Sequence, residues 1–260
     1  MKNTIESLER PTQYHEVNAI VQELLKGAKS ILGDQLLGMY LHGSLASGDF
    51  SPETSDIDYV IVLSEKPDDD TISALRNLHE QLSDGNGKWA KKLEGTYIPQ
   101  KEFRRYNPDD GPYPSTNEGE FYLAKHETHW VLARHLLREN GVIVYGPSPN
   151  DLIASVSAND IKQAILGFLN GWWFYVLDNP SRLESLEYQA YAALTMCRAL
   201  YTLENGKIAS KPVSAKWAQK AHTQWNDLIT WALSWNQHTM SGKFEEARDF
   251  IRYTLQIANR

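Results

Sequence analysis

The stretch from Gly38 to Leu63 constrains the fold more than any other part of the chain. Two apolar, β-forming runs are joined there by a segment of small and polar residues, GSLASGDFSPETSD. The first run, Leu36–Leu41, predicts one strand, and the second predicts a strand that begins just after Ser55. Because side chains two residues apart on a strand share a face, Asp56 and Asp58 are expected to project together.

Two neighbouring carboxylates repel each other and weaken a strand, and a hard divalent cation removes that penalty. Mg²⁺ prefers one or two carboxylates together with phosphate oxygens and water. Gly43 lets the backbone approach a bulky anion, and Ser44 offers a hydroxyl and exposed N–H groups at a possible helical turn. A Gly-Ser turn or an Asp-x-Asp alone is usually structural, but the two together, between strands, predict a metal-phosphate site.

This combination resembles the signature of the polymerase-β-like nucleotidyltransferase superfamily: Gly43-Ser44, then Asp56-x-Asp58 at the head of an apolar strand. The resemblance implies that an acidic residue on a neighbouring strand completes the site. Glu94, in the predicted strand Leu93 to Pro99, is the candidate, because the aminoglycoside adenylyltransferases that modify streptomycin and spectinomycin have their presumed base in a similar passage. The resemblance thus implies that Glu94 is the base and a metal ligand with Asp56 and Asp58. Position alone is equally compatible with an exposed glutamate without a function.

The second half of the chain extends the resemblance. The passage CRALYTLENGKIASK, residues 197–211, is similar to the Arg…Gly-Lys-Ile…Lys passage of the same adenylyltransferases. It implies that Arg198 and Lys211 contact the triphosphate of ATP and close over it from the second domain, a role that suits a forked guanidinium and an ammonium. Without the resemblance, Lys211 would be interpreted as a solvated lysine on a turn.

The residues that bind the acceptor are less well defined, because the sequence departs from the streptomycin-modifying enzymes just before the arginine helix. Trp172 and Trp173 are candidates, since an aromatic ring face can hold a cationic sugar. Glu184 and Glu187 are the nearest acidic candidates. The identity of the acceptor therefore cannot be transferred from the resemblance.

Apolar periodicity predicts the remaining architecture. In the first half it predicts helices over 14–32, 71–82 and 120–140, a strand over 142–145, and a long loop over 106–119. From residue 160 onward it predicts only helices, over 161–177, 186–203, 214–233 and 244–258. The predicted class is α+β: a nucleotidyltransferase domain, 1–149, with a mixed sheet and flanking helices, followed by a helical bundle domain, 150–260.

Composition restricts the partners. The 260 residues carry a formal net charge of −7, which argues against a general nucleic-acid binder and suits a cationic partner. Apolar runs are too short for a membrane span, and the first residues lack the apolar region of a signal peptide. The lone Cys197 cannot form an internal disulfide. We therefore expect a cytoplasmic protein with no membrane or nucleic-acid partner; the sequence does not specify its oligomeric state.

The predicted activity is Mg²⁺-dependent transfer of AMP from ATP to a hydroxyl of an aminoglycoside or aminocyclitol antibiotic. Pyrophosphate would be released, and the modified antibiotic would no longer act. Two alternatives stay open: another acceptor, such as a lincosamide, a metabolite or a protein, or a relative that binds nucleotide without turnover. The presence of all three carboxylates argues against the last, because a protein that only binds has less need of a third acid.

Overall fold

The computed structural model describes residues 10–260, except for the side chain of Asn86. The chain divides into two compact units, the first ending at Ser155 and the second running from Val156 to Arg260. The sequence-based division after residue 149 lies slightly earlier.

The first unit is built around a six-stranded sheet. Its strands are β1 (Leu36–Leu41), β2 (Ile57–Leu63), β3 (Leu93–Pro99), β4 (Tyr113–Asn117), β5 (Glu120–Ala124) and β6 (Val142–Tyr145). Their order across the sheet is β5-β4-β3-β2-β1-β6. Only β2 and β3 run parallel; the other neighbouring pairs are antiparallel. The mixed sheet with helices confirms the predicted class of this unit.

Helices cover both faces of the sheet. They are α1 (His15–Leu32), α2 (Gly43–Ser47), α3 (Asp69–Ala90), α4 (Gln100–Phe103), α5 (Trp130–Asn140) and α6 (Pro149–Leu152). The side chains of β2 alternate between two cores: Tyr59 and Ile61 pack in a cluster that includes residues of α1 and α3, and Val60 and Val62 pack with residues of α4, α5 and α6. By this alternation, Asp58 lies on the same face as Val60.

Two predictions for residues 106–140 were wrong. The expected long loop contains β4, and the expected helix begins only at Trp130, because the preceding residues form β5. β4 and β5 are joined by a tight turn in which Glu118 and Gly119 have φ values of 52° and 84°. Positive φ at both central residues is the geometry of a hairpin turn whose twist matches its strands.

The second unit is helical, as predicted. Its helices are α7 (Ala158–Phe168), α8 (Phe174–Asp178), α9 (Leu186–Asn205), α10 (Lys211–Ala221), α11 (Asn226–Ser234) and α12 (Phe244–Ala258). A π-helical segment, Leu169–Trp173, joins α7 to α8, and a 3₁₀ turn, Pro180–Glu184, precedes α9. α9 packs against α10, α11 and α12 and is the centre of the bundle.

The expected single helix over 214–233 is divided into α10 and α11. His222 ends α10 with φ −131° and ψ 59°, outside the helical region, and a 3₁₀ turn, Thr223–Trp225, follows. Apolar periodicity continues across this break, which explains why the sequence pattern did not reveal it. Within the part of the chain that the structure describes, no helix is both long and apolar enough to cross a bilayer.

Candidate active site

The pairing of β2 with β3 brings two of the predicted carboxylates side by side. In the parallel register, Asp58 is the partner of Glu94. Residues directly opposite on neighbouring strands point to the same face of a sheet. Asp58 is half-buried, whereas Glu94 is exposed. A carboxylate anchored in the sheet therefore has a solvent-facing carboxylate beside it.

Gly43 lies directly against Asp58. Its φ is +57°, and a Cβ at this position would overlap the Asp58 carboxylate. The backbone N–H of His42 donates to the carbonyl oxygen of Asp58 at 3.0 Å, which fixes the end of β1 against the start of β2. Ser44, the second residue of α2, is half-buried. The structure thus brings Gly43, Ser44, Asp58 and Glu94 to one end of the sheet, and only glycine fits at position 43 without moving the carboxylate.

Asp56 is exposed and immediately precedes β2. Lys92, immediately before β3, fixes the backbone on both sides of it. The N–H of Ile57 donates to the Lys92 carbonyl at 2.6 Å, and the Lys92 ammonium donates to the carbonyl of Ser55 at 2.7 Å. Lys92 was not predicted from the sequence, and no motif could have revealed it, because its ammonium contacts backbone carbonyls, which every residue has.

The three predicted carboxylates do not form a preassembled cluster. Over residues 10–260, no three His, Cys, Asp or Glu side chains are grouped so that they could hold a metal ion. Carboxylates that lie close together repel one another when no cation lies between them. Their grouping around one ion is therefore a proposal, not an observed feature.

His42 is the titratable side chain next to the glycine turn. Burial lowers its pKa below the ordinary value, and the negative charge of Asp58 opposes that change. The His42 ring centroid lies 6.5 Å from that of Trp130, in an edge-on arrangement. A histidine with a lowered pKa is mostly neutral at pH 7, so it does not neutralise the charge of Asp58.

The β4–β5 hairpin gives Glu94 acidic surroundings. Burial raises the pKa of Tyr122 on β5, and the charges of Glu94, Glu120 and Glu118 raise it further. Glu94 is therefore close enough to Tyr122 for its charge to act on the phenol. This hairpin was not predicted, because the apolar pattern of the segment also fits a loop followed by a helix.

The second unit holds Arg198 on α9 and Lys211 at the first position of α10, two helices that pack together. The Lys211 ammonium lies 5.1 Å from the ring centroid of Tyr191. Tyr191 and Arg198 are seven residues apart on α9, about two turns, so they lie on the same side of that helix. Lys211 is therefore already oriented by an aromatic ring of α9.

The two tryptophans have different environments. Trp173 has no exposed surface, and the rings of Tyr188 and Tyr191 lie with their centroids 6.0 Å from its own. The expectation that Trp173 offers a ring face to an acceptor is therefore wrong, because core packing covers the ring. Trp172 is half-buried, and its indole N–H donates to the Tyr188 hydroxyl at 3.0 Å.

The predicted acidic candidates lie on the surface of the second unit. Glu184 ends the 3₁₀ turn, Glu187 lies in the first turn of α9, and both are exposed. Neither carboxylate accepts the indole N–H of Trp172, which donates to the Tyr188 hydroxyl. The structure therefore leaves their predicted role in acceptor binding as a proposal.

Both halves of the chain match families of known proteins. Residues 21–111 match the family described as nucleotidyltransferase domain, and residues 151–257 match the family described as aminoglycoside adenylyltransferase, C-terminal domain. An aminoglycoside (3'') (9) adenylyltransferase from Escherichia coli is 24% identical over 92% of this chain and 93% of its own length. A spectinomycin 9-adenylyltransferase from Staphylococcus aureus is 27% identical over 75% of each chain.

A crystal structure of a spectinomycin adenyltransferase from Enterococcus faecalis, with ATP and spectinomycin, has the same fold. The TM-score is 0.74 at 19% identity, and the match covers 93% of this chain and 99% of the other. The two family matches fall on the sheet unit and the helical unit in the order in which the sequence motifs occur. The chain therefore combines a region that matches a nucleotidyltransferase domain with a region that matches the C-terminal domain of aminoglycoside adenylyltransferases, and its overall fold is similar to that of a spectinomycin adenyltransferase.

Proposed function

We propose that the protein transfers AMP from ATP to a hydroxyl of a small cationic acceptor, an aminoglycoside or aminocyclitol, and releases pyrophosphate. The observation that carries this proposal is the in-register pairing of Asp58 with Glu94 beside the backbone of Gly43. The names of the relatives and the net charge of −7 support a cationic acceptor. Adenylylation of such an antibiotic would confer resistance to it.

The side chains at this end of the sheet are of the type that binds Mg²⁺, and because they are not grouped in the structure, the ion would have to draw them together. Asp56, Asp58 and Glu94 supply carboxylate oxygens, the donors that Mg²⁺ prefers. The Asp58 carboxylate lies where a Cβ of Gly43 would be, so the glycine lets this carboxylate sit directly against the backbone of the turn. Asp56 and Asp58 would hold the ion, with Glu94 as a third ligand. When bound there, Mg²⁺ would neutralise charge on the phosphates and polarise the α-phosphate for attack.

The residues of the chain have separate roles in the proposed reaction. Gly43 and Ser44 bind the outgoing phosphates through backbone N–H groups and the serine hydroxyl. Glu94 accepts the proton of the acceptor hydroxyl. At the same time the hydroxyl oxygen bonds to the α-phosphorus, and the bond between that phosphorus and pyrophosphate breaks. Arg198 and Lys211 contribute contacts to the phosphates, a role that rests on the motif resemblance in the second unit.

The test is pyrophosphate release from ATP in the presence of MgCl₂ and a panel of acceptors. The panel contains streptomycin, spectinomycin, further aminoglycosides and a lincosamide, and mass spectrometry identifies any adenylylated product. We expect product with at least one aminoglycoside or aminocyclitol. Activity with the lincosamide alone, or with none of the panel, would contradict the proposed acceptor class.

The base is tested by Glu94→Gln, which keeps the shape of the side chain and removes its basicity. We expect kcat to fall roughly 10²–10⁴-fold, the usual size of a general-base effect. Glu80→Gln, an exposed change on α3, is the matched control and should leave kcat unchanged. Full activity of Glu94→Gln would show that another group accepts the proton.

A further inference from the structure

Arg182 places a cation over the ring of Trp172. Its guanidinium carbon lies 5.0 Å from the Trp172 ring centroid and 5.9 Å from that of Tyr188. Trp172 and Tyr188 are joined by the indole hydrogen bond, so the two rings form one fixed aromatic surface. Both separations are within the range in which a cation is attracted to an aromatic face.

The charge of Arg182 is not matched by an acid. Of the salt bridges formed by the described residues, none includes Arg182, although Glu184 and Glu187 are close in sequence. Burial raises the pKa of Tyr188, and the positive charge of Arg182 opposes that rise. The guanidinium is therefore close enough to interact electrostatically with this ring. Arg182 is exposed, and it therefore adds an uncompensated positive charge beside the rings.

We propose that Arg182 is a specificity-determining residue, which occupies the aromatic surface of Trp172 and Tyr188 and keeps the cationic groups of acceptors off it. This inference rests on the proposed function, since Trp172 is one of the residues expected to meet the acceptor. A ring face already covered by a guanidinium cannot hold a second cation, and the two like charges repel. Acceptors that would need a cation on this surface are therefore disfavoured.

A second ring of the same unit is covered in a similar way. Lys211 lies over Tyr191, and the Tyr191 and Tyr188 ring centroids are 5.4 Å apart. The chain thus places its own cations on neighbouring rings, so a polycationic acceptor meets positive charge where bare aromatic faces would attract it. Arg182 is the better test of the two, because Lys211 is a proposed phosphate contact and Arg182 is not.

The experiment measures acceptor binding without chemistry. Isothermal titration calorimetry with streptomycin, which carries guanidinium groups, and with spectinomycin is performed in saturating α,β-methylene ATP and MgCl₂, so that transfer cannot occur. We expect Arg182→Gln to bind streptomycin about threefold to tenfold more tightly than the wild type. In the variant, a guanidinium of streptomycin can take the place of Arg182 on the Trp172 ring, and the repulsion between the two cations is removed. Arg182→Lys, which keeps the charge and loses the planar contact, should fall between them.

Two controls separate this effect from simpler ones. Arg252→Gln removes the same charge from an exposed arginine of α12 and should leave the affinity unchanged. Trp172→Phe, added to Arg182→Gln, should remove most of the gain, because phenylalanine offers a weaker face to a cation. Circular dichroism of Arg182→Gln should match the wild type, since the residue is exposed.

The inference is overturned if Arg182→Gln binds streptomycin no better than the wild type, or if Arg252→Gln gives the same gain. Its failure is distinguishable from that of the proposed function. Turnover of an aminoglycoside by the wild type, without a gain in Arg182→Gln, contradicts only the role of Arg182. A gain in binding with no adenylylated product supports Arg182 as the residue that excludes cations and contradicts the proposed reaction.

Discussion

The two units hold their candidate site residues by different means. In the first unit, strand pairing aligns Asp58 with Glu94, and a backbone without a Cβ lies against Asp58 at Gly43. In the second unit, side chains hold one another, as Arg182 does over Trp172. Strand register follows from a period-two apolar pattern, and contacts between side chains of separate elements have no such pattern.

The comparison indicates which roles each unit can have. Residues fixed by the sheet backbone keep a defined geometry, which chemistry at an α-phosphate needs. Residues fixed by aromatic and cationic side chains can rearrange around a ligand, which suits binding and selectivity. We therefore expect substitutions in the first unit to lower kcat, and substitutions in the second to change KM.

Asp58→Asn should lower kcat by about 10³–10⁵-fold, the range seen when a charge-stabilising group is removed from phosphoryl transfer. Asparagine keeps the size of the side chain, so circular dichroism and thermal unfolding should stay close to those of the wild type. Asp34→Asn, an exposed change in the same unit, is the control for the loss of one negative charge. A near-normal rate in Asp58→Asn would show that this carboxylate of the sheet takes no part in the reaction.

Gly43→Ala should lower kcat by about 10²-fold, because the new Cβ displaces the Asp58 carboxylate and small displacements in an active site cost that much. Gly33→Ala is a matched control: Gly33 has φ +51°, close to the +57° of Gly43, but a Cβ there would meet no atom within 4 Å. Both variants place alanine at a positive φ, and only Gly43→Ala adds an overlap with a side chain. Equal activity in the two would show that the contact with Asp58 does not matter.

Acid should unfold the first unit before the second. Burial lowers the pKa of His79 to about 4, against 6.5 in the unfolded chain, so the unfolded state binds its proton more readily. Stability from this histidine is complete above pH 6.5 and is lost as the pH falls towards about 4, a change of about 3 kcal/mol. His126 and His129, with pKa values lowered to about 2 and about 4, add to the same trend.

Hydrogen exchange followed by mass spectrometry from pH 7 to pH 4 resolves the two units. His79→Gln should flatten the pH dependence of protection in the first unit, and exposed His15→Gln should not. Exchange that rises first in α9–α12 would mean that the helical unit, rather than the sheet unit, limits stability in acid.

Lys211→Ala should raise the KM for ATP about tenfold and change kcat less, because a hydrogen bond between an ammonium and a phosphate contributes chiefly to binding. Steady-state kinetics with ATP as the varied substrate measures both constants. Lys216→Ala, on the exposed side of α10, is the matched control. A decrease in kcat as large as that of Asp58→Asn would contradict the expectation that the first unit affects kcat and the second affects KM.

Much of the fold could be predicted because its elements are locally periodic. The strand expected over 93–99 and the helix expected over 244–258 have those bounds in the structure. The β4–β5 hairpin was missed because Phe121 and Leu123 fit a strand as well as the start of a helix, and the turn uses Glu118-Gly119 in place of the usual Asn-Gly. An apolar pattern predicts the type of element only when it fits the period of a helix or that of a strand, but not both.

The candidate site divides in the same way. Gly43, Ser44, Asp56 and Asp58 could be selected from the sequence, because a short motif between two strands keeps its members close along the chain. Lys92 could not, since it acts on backbone carbonyls that lie more than thirty residues away. Trp173 was predicted to bind the acceptor because an aromatic ring face can hold a cationic sugar, and only the packing shows that this ring lies in the core.

By itself, the sequence determined the order of β1, β2, β3 and β6, the apolar alternation of β2 and the glycine and carboxylates that flank it. All of these depend on residues that are near one another along the chain, where backbone geometry is short-ranged. Only the tertiary structure decided that Asp58 is opposite Glu94, that a Cβ at Gly43 would meet Asp58, and that Arg182 covers Trp172. Those relations join distant segments, and they exist only once the two cores have packed and fixed which side chains meet.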